Sequence, residues 1–468
     1  MPELPTSPSP FATDDCIERL RCGLTPASLS VLSVLENNGY EAWFVGGYVR
    51  DAIRGVPCSD IDIASDALWQ DAQRCFEDAG MKTRETGTKH GTITVIFQGE
   101  AFEVTTFRTE GTYSDARHPD DVTFVSSIRE DLKRRDFTIN AMAFHPQRGL
   151  VDPFGGLSDL QSHTIRCVGR ADDRFNEDPL RILRACRFSS QLGFGFEPKT
   201  YRAMWVNKVL MLSLAAERIT HELDLLLLGS HVHDALMQTA DVLEAILPEI
   251  TACKGFDQRT PYHIYTVWEH TAYVVQNTPA NRLARWSAFF HDLGKPAAFF
   301  THEDGVGHFY GHARISVELA RGIMTRLSMS QAFVEKILTL VRVHDDVIAP
   351  TERAVKRALS RLGGDVVLFE ALCDLKKADA LSQAPHCHER VELAENLKQI
   401  LKDIKDSDDA FTLKGLKIDG QAIMEMGVPQ GPEVGQVLRL CLDAVIDEQV
   451  TNDESDLRAF VLGWLRSR

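Results

Sequence analysis

The chain has 468 residues, of which 44% are hydrophobic and 25% charged, so we expect roughly two to four globular domains. It contains no apolar run of membrane-spanning length and no Cys-x-x-Cys pair among its ten cysteines. This excludes a membrane segment, a zinc ribbon and a disulfide framework, and it favours a reducing cytoplasm. The net charge of −16 excludes a protein coated in positive potential, so any nucleic-acid binding must use local basic stripes.

The amino-terminal segment, residues 1–24, begins with a Pro/Ser-rich stretch that has no basic-then-apolar signal pattern. We predict a flexible tail there. From Thr25 to Asn38 the apolar residues recur at helical spacing, which predicts a first helix.

An apolar run from Trp43 to Val45 ends at two glycines, Gly46 and Gly47. This pattern predicts a strand, a tight turn and a helix. Paired glycines let a backbone approach a bulky anion, and a helix N-terminus offers free amides to phosphate. The turn is therefore a candidate phosphate site.

Two carboxylates follow shortly afterwards. Asp60 and Asp62 alternate with Ile61 and Ile63, and on a strand this period of two puts both acids on one face. Such a pair suits divalent ions that activate a hydroxyl and stabilise a leaving pyrophosphate. The alternative is a solvated edge strand with its acidic residues outward.

A β-hairpin is predicted from Thr92–Phe97 and Ala101–Phe107, which flank a short polar turn. Glu103 alternates with apolar neighbours and points away from their face. It can join Asp60 and Asp62 if the strands are neighbours. The alternative is an ordinary solvent-facing glutamate.

The segment from Arg108 to Asp121 is polar and weakly patterned, which predicts a mobile loop before a short strand. Farther on, Arg134 and Arg135 could hold a triphosphate or a ribose, and Asp136 could accept from a sugar hydroxyl. A surface helix with salt bridges explains the same charges.

Strand signals largely vanish after a turn cluster at Asp152–Gly156, and helical patterns continue from about residue 170 to the end. The predicted fold class is therefore α+β, with an α+β head on a long α-helical body. Asp178 is a candidate N-cap, and Arg181 and Arg184 follow it on one helix face. These groups could read the edge of a base, or they could form an exposed basic stripe.

Six short motifs occur in a fixed order along residues 40–225. They are Gly46-Gly47-x-Val49-Arg50-Asp51, Asp60-x-Asp62, Arg134-Arg135-Asp136-Phe137-Thr138, Asp152-Pro153-x-Gly155-Gly156, Glu177-Asp178-x-x-Arg181 and Glu217-Arg218-Ile219. In this order they resemble the class II tRNA nucleotidyltransferases, which comprise the CCA-adding enzymes and their poly(A) polymerase relatives. The resemblance implies a polymerase-β-like head followed by an all-α neck, body and tail.

Five segments follow from these patterns and from the resemblance. We expect a tail at 1–24, a nucleotidyltransferase palm domain at 25–165, a helical neck that selects RNA and nucleotide at 166–255, an HD phosphohydrolase-like domain at 256–390, and a helical C-terminal tail at 391–468.

The resemblance also implies site residues. Asp60 and Asp62 would hold catalytic Mg²⁺, and Glu103 is our addition as a third catalytic carboxylate. The implied nucleotide-binding set consists of Gly46, Gly47 and Arg50 at the triphosphate, Arg135 and Asp136 at the ribose, and Asp178 and Arg181 at the base. We add Arg108, Arg184 and Arg187 to that set. Residues 108–117 match the flexible loop with which family members switch from adding C to adding A.

The implied activity is template-independent transfer of CMP and AMP from CTP and ATP to the 3′ end of tRNA, with no obligate protein partner. The alternatives are a poly(A) polymerase, an HD phosphohydrolase with a nucleotide-binding head, and a non-catalytic RNA-binding protein.

A second constellation comprises His270, the pair His291-Asp292, and Asp379. Its order resembles the HD superfamily of metal-dependent phosphohydrolases. Mixed nitrogen and oxygen ligands suit a transition metal, and His312 and His344 could hold a second ion. The resemblance implies 2′,3′-cyclic phosphates or phosphomonoesters at RNA ends as substrates. The alternative is a helical RNA-binding body with vestigial ligands.

Overall fold

The structure is a computed structural model that describes residues 14–58, 60–110, 122–406 and 412–467. The chain divides into two units. The first comprises Met1–Leu226 and Asp241–Ile246, and the second comprises Leu227–Ala240 and Leu247–Arg468.

The first part of the first unit mixes helices and strands. In chain order these are α1 (Asp14–Cys22), α2 (Pro26–Asn37), β1 (Ala42–Val45), α3 (Gly47–Ile53), β2 (Asp62–Ser65), α4 (Trp69–Asp78), β3 (Lys82–Gly87), β4 (Thr92–Phe97), β5 (Glu100–Thr106), β6 (Arg108–Glu110), β7 (Val122–Phe124), α5 (Ile128–Lys133), β8 (Ala143–His145), β9 (Gly149–Val151), α6 (Gly156–Gln161) and β10 (Thr164–Ile165).

Helices dominate the remainder of the first unit. They are α7 (Ala171–Glu177), α8 (Leu180–Leu192), α9 (Pro198–Asn207) and α10 (Ala216–Leu227), with the short strand β11 (Gly195–Phe196) before α9. The next helix, α11 (Val232–Leu243), is divided between the two units.

The described residues of the second unit form helices and one short hairpin. Its elements are α12 (Val267–Asn277), α13 (Arg282–Phe290), α14 (Lys295–Ala298), β12 (Phe300–Thr301), β13 (Gly307–His308), α15 (His312–Arg326), α16 (Gln331–Val343), α17 (Glu352–Arg361), α18 (Val366–Leu381), α19 (Glu389–Asp406), α20 (Gly420–Glu425), α21 (Pro432–Ile446) and α22 (Glu454–Arg466).

The head contains a seven-stranded sheet with the strand order β3-β4-β5-β2-β1-β8-β9. The pairing of β2 with β5 is parallel, and the other neighbours are antiparallel. All four residues of β1 are buried, as expected for a central strand with covered faces. The parallel pairing puts Asp62 directly opposite Glu103.

The α+β prediction is confirmed, with a sheet-containing head and a helical remainder. The predicted first helix is α2, which begins with a capping box formed by Thr25 and Ser28. The predicted hairpin is β4–β5.

Two local expectations differ from the structure. Of the predicted tail, residues 1–13 lie outside the described ranges, whereas α1 is a helix that buries Cys16 and Leu20. The prediction that Asp60 lies within a strand is wrong, because β2 begins at Asp62. The turn at Gly46 ends β1 opposite Asp62, so the preceding residues have no strand partner there.

Two apolar clusters form cores of the second unit. One involves α16 to α19, and the other joins α20, α21 and α22. Within the described ranges, no helix combines the length and apolar character that crossing a bilayer demands.

Candidate active site

A cavity of about 730 Å³ opens in the first unit beside the end of β1. Its lining includes most of the residues that the sequence predicts for a nucleotide site. These are Gly46, Gly47, Arg50, Asp60, Asp62, Arg135, Asp136, Asp178, Arg181, Arg184 and Arg187. Arg134 and Arg218 also line it, which brings the arginines to seven. A cavity this rich in guanidinium groups is suited to a polyanion such as a triphosphate.

The glycine turn brings backbone and guanidinium together. Gly46 has φ +70°, a conformation that L side chains rarely adopt, and a Cβ atom there would lie 2.9 Å from Nη1 of Arg135 and 3.8 Å from Oδ2 of Asp62. The backbone conformation therefore favours glycine, and a Cβ atom would displace the end of the Arg135 side chain. The sequence predicted that an anion would approach the backbone at this turn. In the structure the side chain of Arg135 lies close to Gly46.

Asp62 is held in an acidic and largely buried setting. Burial raises the pKa of its carboxyl to about 6, the negative charges of Glu103 and Asp60 add to the rise, and Arg135 opposes it. A bound divalent cation would relieve this repulsion, and carboxylate oxygens are the donors that Mg²⁺ prefers. The donor set therefore fits Mg²⁺.

The strands of Glu103 and Asp62 are neighbours and the two residues are paired in register, but the side chain of Glu103 is exposed and does not line the cavity. Among the described residues, the clusters of three ligand atoms within 4.8 Å lie in the second unit and do not include Asp60, Asp62 and Glu103.

Asp131 positions the arginine pair, and sequence reasoning did not single it out. Its carboxylate is completely buried and accepts from Nε of Arg134 at 2.9 Å and from Nη2 of Arg135 at 3.3 Å. Burial would raise its pKa, but the two guanidinium groups outweigh burial and lower it. The signal was the position of Asp131 on α5, three and four residues before the two arginines that follow this helix.

Asp136 and Arg184 form an ion pair within the cavity lining. Nε of Arg184 donates to Oδ2 of Asp136 across 2.7 Å. The other carboxylate oxygen accepts from the backbone N–H of Phe137 at 2.8 Å and from Asn140 at 3.2 Å. Burial alone would raise the pKa of Asp136, but Arg184 lowers it to about 2.

The start of α8 is tied to the head by its charged residues. Arg181 is 6% exposed and donates to Oε2 of Glu177 at 2.8 Å and to the carbonyl of Arg134 at 3.1 Å. The exposed-stripe alternative is therefore wrong for Arg181. Oδ1 of Asp178 accepts from the N–H of Leu180 at 3.0 Å, but Pro179 is the N-cap of α8, so the prediction of Asp178 as the N-cap is wrong by one residue.

Phe188 is a second residue that sequence reasoning missed. Its ring faces the guanidinium groups of Arg50, Arg184 and Arg187, whose central carbons lie 5.3, 5.5 and 4.5 Å from the ring centroid. Such cation–π contacts hold the arginines around one apolar centre. The apolar spacing of α8 marks Phe188 only as a core residue.

Arg108 does not line the cavity. Its N–H donates to Oδ1 of Asp131 at 3.3 Å, and its guanidinium donates to the carbonyl of His90. It begins β6, which pairs with β7. Residues 111–121 of the predicted loop lie outside the described ranges.

The second unit has a cavity of about 380 Å³ lined by His291, Asp292, His312, His344 and Asp379. These residues and His270 come from the helices α12, α15 and α18 and from the positions just after α13 and α16. Three overlapping groups of ligand atoms converge there: His263, His270 and Asp379; His270, His291 and Asp292; and Asp292, His312 and His344. The structure thus brings the predicted HD residues together and adds His263. His308 lines the cavity but belongs to none of these groups.

The histidines are oriented by their other ring nitrogen. In His270, His291, His312 and His344, Nδ1 donates to the backbone carbonyls of Ser382, Ala288, Phe309 and Val341, at 3.1, 2.7, 2.9 and 2.7 Å. This arrangement directs each Nε2 toward the cluster, where those of His312 and His344 lie 3.2 Å apart, as is typical of histidines that bind metal.

The atoms at the centre of the cluster lack hydrogen bonds of acceptable geometry. They are Nε2 of His270, Nε2 of His291 and Oδ2 of Asp292, all buried. Nε2 of His291 lies 3.1 Å from that oxygen, and Nζ of Lys295 lies 2.7 Å from it. Buried polar atoms that crowd together without hydrogen bonds fit a shared cation, so this donor set is compatible with a metal ion.

Comparisons with family models agree with the order of these parts. Residues 42–166 match the model of the poly A polymerase head domain, and residues 193–254 match a model described as an RNA and SrmB binding site of polymerase A. Residues 312–461 match a model described as domain 2 of tRNA nucleotidyltransferases.

Known relatives span nearly the whole chain. The chain is 34% identical over 446 residues to the CCA-adding enzyme of Limosilactobacillus fermentum, which covers 94% of this chain and 97% of the relative. It is 33% identical over 437 residues to that of Streptococcus thermophilus, which covers 93% and 96%.

Solved structures give the same result. The CCA-adding enzyme of Bacillus stearothermophilus in complex with CTP aligns with a TM-score of 0.72 at 30% identity, over 95% of this chain and 99% of that one. The Thermotoga maritima CCA-adding enzyme, with a TM-score of 0.61 at 21% identity over 96% and 98%, supports the fold.

Proposed function

Because this chain belongs to the family of CCA-adding enzymes, we propose that it adds C, C and A to the 3′ ends of tRNA, using CTP and ATP. The observation that carries the proposal is the cavity in which Asp60 and Asp62 meet a glycine turn and seven arginines. We propose the cytoplasm as the compartment, since all ten cysteines are free thiols.

In the proposed reaction the 3′-oxygen of tRNA bonds to the α-phosphorus of the nucleotide. The bond from that phosphorus to the bridging oxygen breaks, pyrophosphate leaves, and the hydroxyl proton is lost to solvent. The arginines neutralise the triphosphate, and the ion pairs that Asp131 and Asp136 make hold Arg134, Arg135 and Arg184 in place before the substrate binds. Such preorganised charge supplies much of the rate in phosphoryl transfer.

We assign Asp60 and Asp62 to Mg²⁺, whereas Glu103, whose exposed side chain lies outside the cavity, adds negative charge beside Asp62. When bound, Mg²⁺ would neutralise charge that develops on the triphosphate and the attacking oxygen. The pKa of Asp62, raised to about 6, supports this role, because a carboxyl that is costly to ionise alone gains most from a cation.

The reaction products distinguish CCA addition from the alternatives. The test offers purified protein a tRNA that lacks its last three nucleotides, with CTP, ATP or both. A CCA-adding enzyme extends this tRNA by two residues with CTP alone and by three with both nucleotides. A poly(A) polymerase would instead add a long tract with ATP alone, and a non-catalytic RNA-binding protein would leave the tRNA unchanged.

We also propose a second activity, hydrolysis of phosphate esters in the second unit. It is supported by the Nε2 atoms of the histidines, which converge on the buried carboxylate of Asp292. His270, His291, Asp292 and Asp379 would hold a transition-metal ion, and His312 and His344 would add ligands for a second ion. A bound ion of this kind supplies a water activated at neutral pH. Lys295 lies against Asp292 and would meet the negative charge of a phosphate ester.

Metal analysis and ester hydrolysis test this second proposal. Purified protein should carry a transition metal and release product from 2′,3′-cyclic AMP or adenosine 2′-monophosphate, and Asp292→Ala should lose both properties. The surface variant Val347→Ala, which changes a 94% exposed side chain, serves as the control. Hydrolysis unaffected by Asp292→Ala would refute the assignment.

A further inference from the structure

The side chain of Asn140 joins two charged groups in the cavity of the first unit. Asn140 lines this cavity and is 7% exposed. Its Oδ1 accepts from Nη1 of Arg50 at 2.8 Å, and its Nδ2 donates to Oδ1 of Asp136 at 3.2 Å. The amide therefore lies between the guanidinium assigned to the triphosphate and the carboxylate that pairs with Arg184.

The chemistry of the two neighbours fixes which end of the amide faces each of them. A guanidinium only donates hydrogen bonds, and an ionised carboxylate only accepts them. Burial alone would raise the pKa of Asp136, but Arg184 lowers it to about 2, so this group is ionised at neutral pH. A side chain that only donates or only accepts could not serve both neighbours, whereas the amide of Asn140 does.

Arg50 keeps donors for a substrate after these contacts are made. Asp51 accepts from Nε of Arg50 at 2.9 Å and from Nη2 at 2.6 Å. Asp51 and Asn140 thus each hold one side of the guanidinium, and together they use one N–H on each of its nitrogens. Nη1 and Nη2 each carry a second N–H, which can donate to a triphosphate.

The backbone at Asn140 is held in place. The flanking Ile139 and Ala141 are completely buried, and the N–H of Asn140 donates to the carbonyl of Phe137 at 3.0 Å. The carbonyl of Asn140 accepts from Nη1 of Arg135 at 3.4 Å. Because the backbone is fixed, a shift of either charged neighbour strains a hydrogen bond of the amide.

We propose that Asn140 is a positioning residue that couples Arg50, at the triphosphate, to the pair of Asp136 and Arg184, at the ribose and the base. The inference rests on the proposed transferase function and adds a residue to it. A triphosphate that orders Arg50 thereby also orders α8 for reading the base, so the cavity selects the parts of one nucleotide together.

A second contact also joins the two arginines. The ring of Phe188 faces the guanidinium groups of Arg50 and Arg184, at 5.3 and 5.5 Å from their central carbons. A ring face attracts a cation without fixing the direction of its individual N–H groups. The hydrogen bonds of Asn140 and Asp136 do fix these directions, and we therefore assign the coupling to the amide.

A double-mutant cycle tests the coupling with inorganic tripolyphosphate, a probe that has neither sugar nor base. Calorimetric titration of the full-length chain at a fixed Mg²⁺ concentration gives the affinity, and displacement by CTP identifies the site. Asn140→Ala should weaken binding about tenfold, because Arg50 loses one of the groups that hold it. Arg184→Ala should weaken binding at least about fivefold more in the wild type than in the Asn140→Ala background.

The cycle cancels the direct attraction between Arg184 and the probe, because this attraction is lost in both backgrounds. An equal effect of Arg184→Ala in the two backgrounds would overturn the proposal. Binding of the probe requires no transfer. Coupling in a protein that incorporates no CMP would therefore refute the transferase function and leave the role of Asn140 standing.

The choice of base provides a readout that a purely structural role would not change. The ratio of kcat/KM for CTP to that for UTP, measured with tRNA that lacks its CCA end, should fall roughly tenfold in Asn140→Ala. The expected cause is that Asp136 and Arg184 are no longer held in register with Arg50.

Thr138→Val is the matched control. It removes a buried hydrogen bond from the same turn, in which the hydroxyl of Thr138 donates to Oδ2 of Asp159 at 2.6 Å, and Thr138 does not line the cavity. This variant should lose stability in urea unfolding but keep the ratio for CTP over UTP within about twofold of the wild type. An equal fall of the ratio in Thr138→Val and Asn140→Ala would show that Asn140 only supports the fold.

Discussion

Arg184 contacts Asp136 through two nitrogens, Nε at 2.7 Å and Nη2 at 2.6 Å from the same carboxylate oxygen. The contact joins α8 to the segment that follows α5. It couples the part of the cavity assigned to the ribose to the helix assigned to the base. We therefore expect a substitution of either residue to affect both the ribose side and the base side of the cavity.

The first prediction concerns the stability that this pair contributes. The pKa of Asp136 is lowered to about 2, so the folded state favours the ionised form. The resulting stability is present above about pH 4 and is lost as the pH falls toward 2. Asp136→Asn should lower the free energy of unfolding at pH 7 by about 2 kcal/mol. Urea unfolding should show a smaller difference in the free energy of unfolding between the wild type and Asp136→Asn at pH 3 than at pH 7.

The exposed pair of Asp173 and Arg170, 3.8 Å apart, provides the control. Asp173→Asn should change the free energy of unfolding by less than about 0.5 kcal/mol. A loss for Asp136→Asn that is no larger than the control, or that is the same at both pH values, would contradict the assignment.

The second prediction concerns Asp62, whose pKa is raised to about 6 by burial and by Glu103. Between about pH 4 and pH 6 the folded state binds more protons than the unfolded state, so this group removes stability as the pH rises. Without divalent cations at pH 7, Asp62→Asn should be more stable than the wild type by about 2 kcal/mol, and near pH 4 the two should be equal. Thermal unfolding across this pH range measures the difference.

Added Mg²⁺ should make the wild type more stable than Asp62→Asn, because the ion binds the folded wild type and stabilises it by mass action. The wild type should then gain thermal stability with Mg²⁺ concentration, and Asp62→Asn should gain much less. An equal gain in both proteins would show that Asp62 does not hold the ion.

The third prediction separates backbone strain from the close approach of Arg135. Gly46→Ala and Gly39→Ala both place a Cβ atom at positive φ, +70° and +87°, but only at Gly46 does that atom meet a guanidinium, at 2.9 Å. Both variants should therefore lose about 1 kcal/mol of stability. Only Gly46→Ala should also raise KM for CTP, by roughly tenfold or more, because it displaces Arg135. Steady-state kinetics and urea unfolding of both variants test this, and an equal KM in the two would contradict it.

The fourth prediction concerns Asp131. Asp131→Asn keeps the shape but weakens the hold on Arg134 and Arg135, so KM for CTP and ATP should rise together, by about tenfold. Its neighbour Glu130 is exposed, and Glu130→Gln should leave both KM values unchanged. Initial rates measured over a range of CTP and ATP concentrations give the two KM values. A fall in kcat with both KM values constant would assign Asp131 a different role.

Much of the head follows from local sequence. The helix α2, the hairpin β4–β5 and the glycine turn at Gly46 are all specified by residues close to one another in the chain. The ordered motifs predicted which side chains would share the cavity. The motif order also predicted that His270, His291, Asp292 and Asp379 would share a site, and the fold brings their ligand atoms together from distant helices.

The rest depends on contacts between distant segments. The position of Asp60 ahead of β2 follows from where β1 ends, and the burial of Asp131 follows from packing of α5. Phe188 appears as one apolar residue among many until the fold brings Arg50 beside it. Glu103 alternates as predicted, but register alone did not reveal that its side chain stays outside the cavity.

The most direct test of the proposed transferase is the incorporation of labelled CMP into tRNA that lacks its CCA end, measured in a single turnover with wild type and Asp62→Ala. The proposal predicts that the variant loses roughly a thousandfold in rate while its affinity for the same tRNA stays within about twofold. Near-normal incorporation by Asp62→Ala would contradict the assignment of this carboxylate to the metal that drives the transfer.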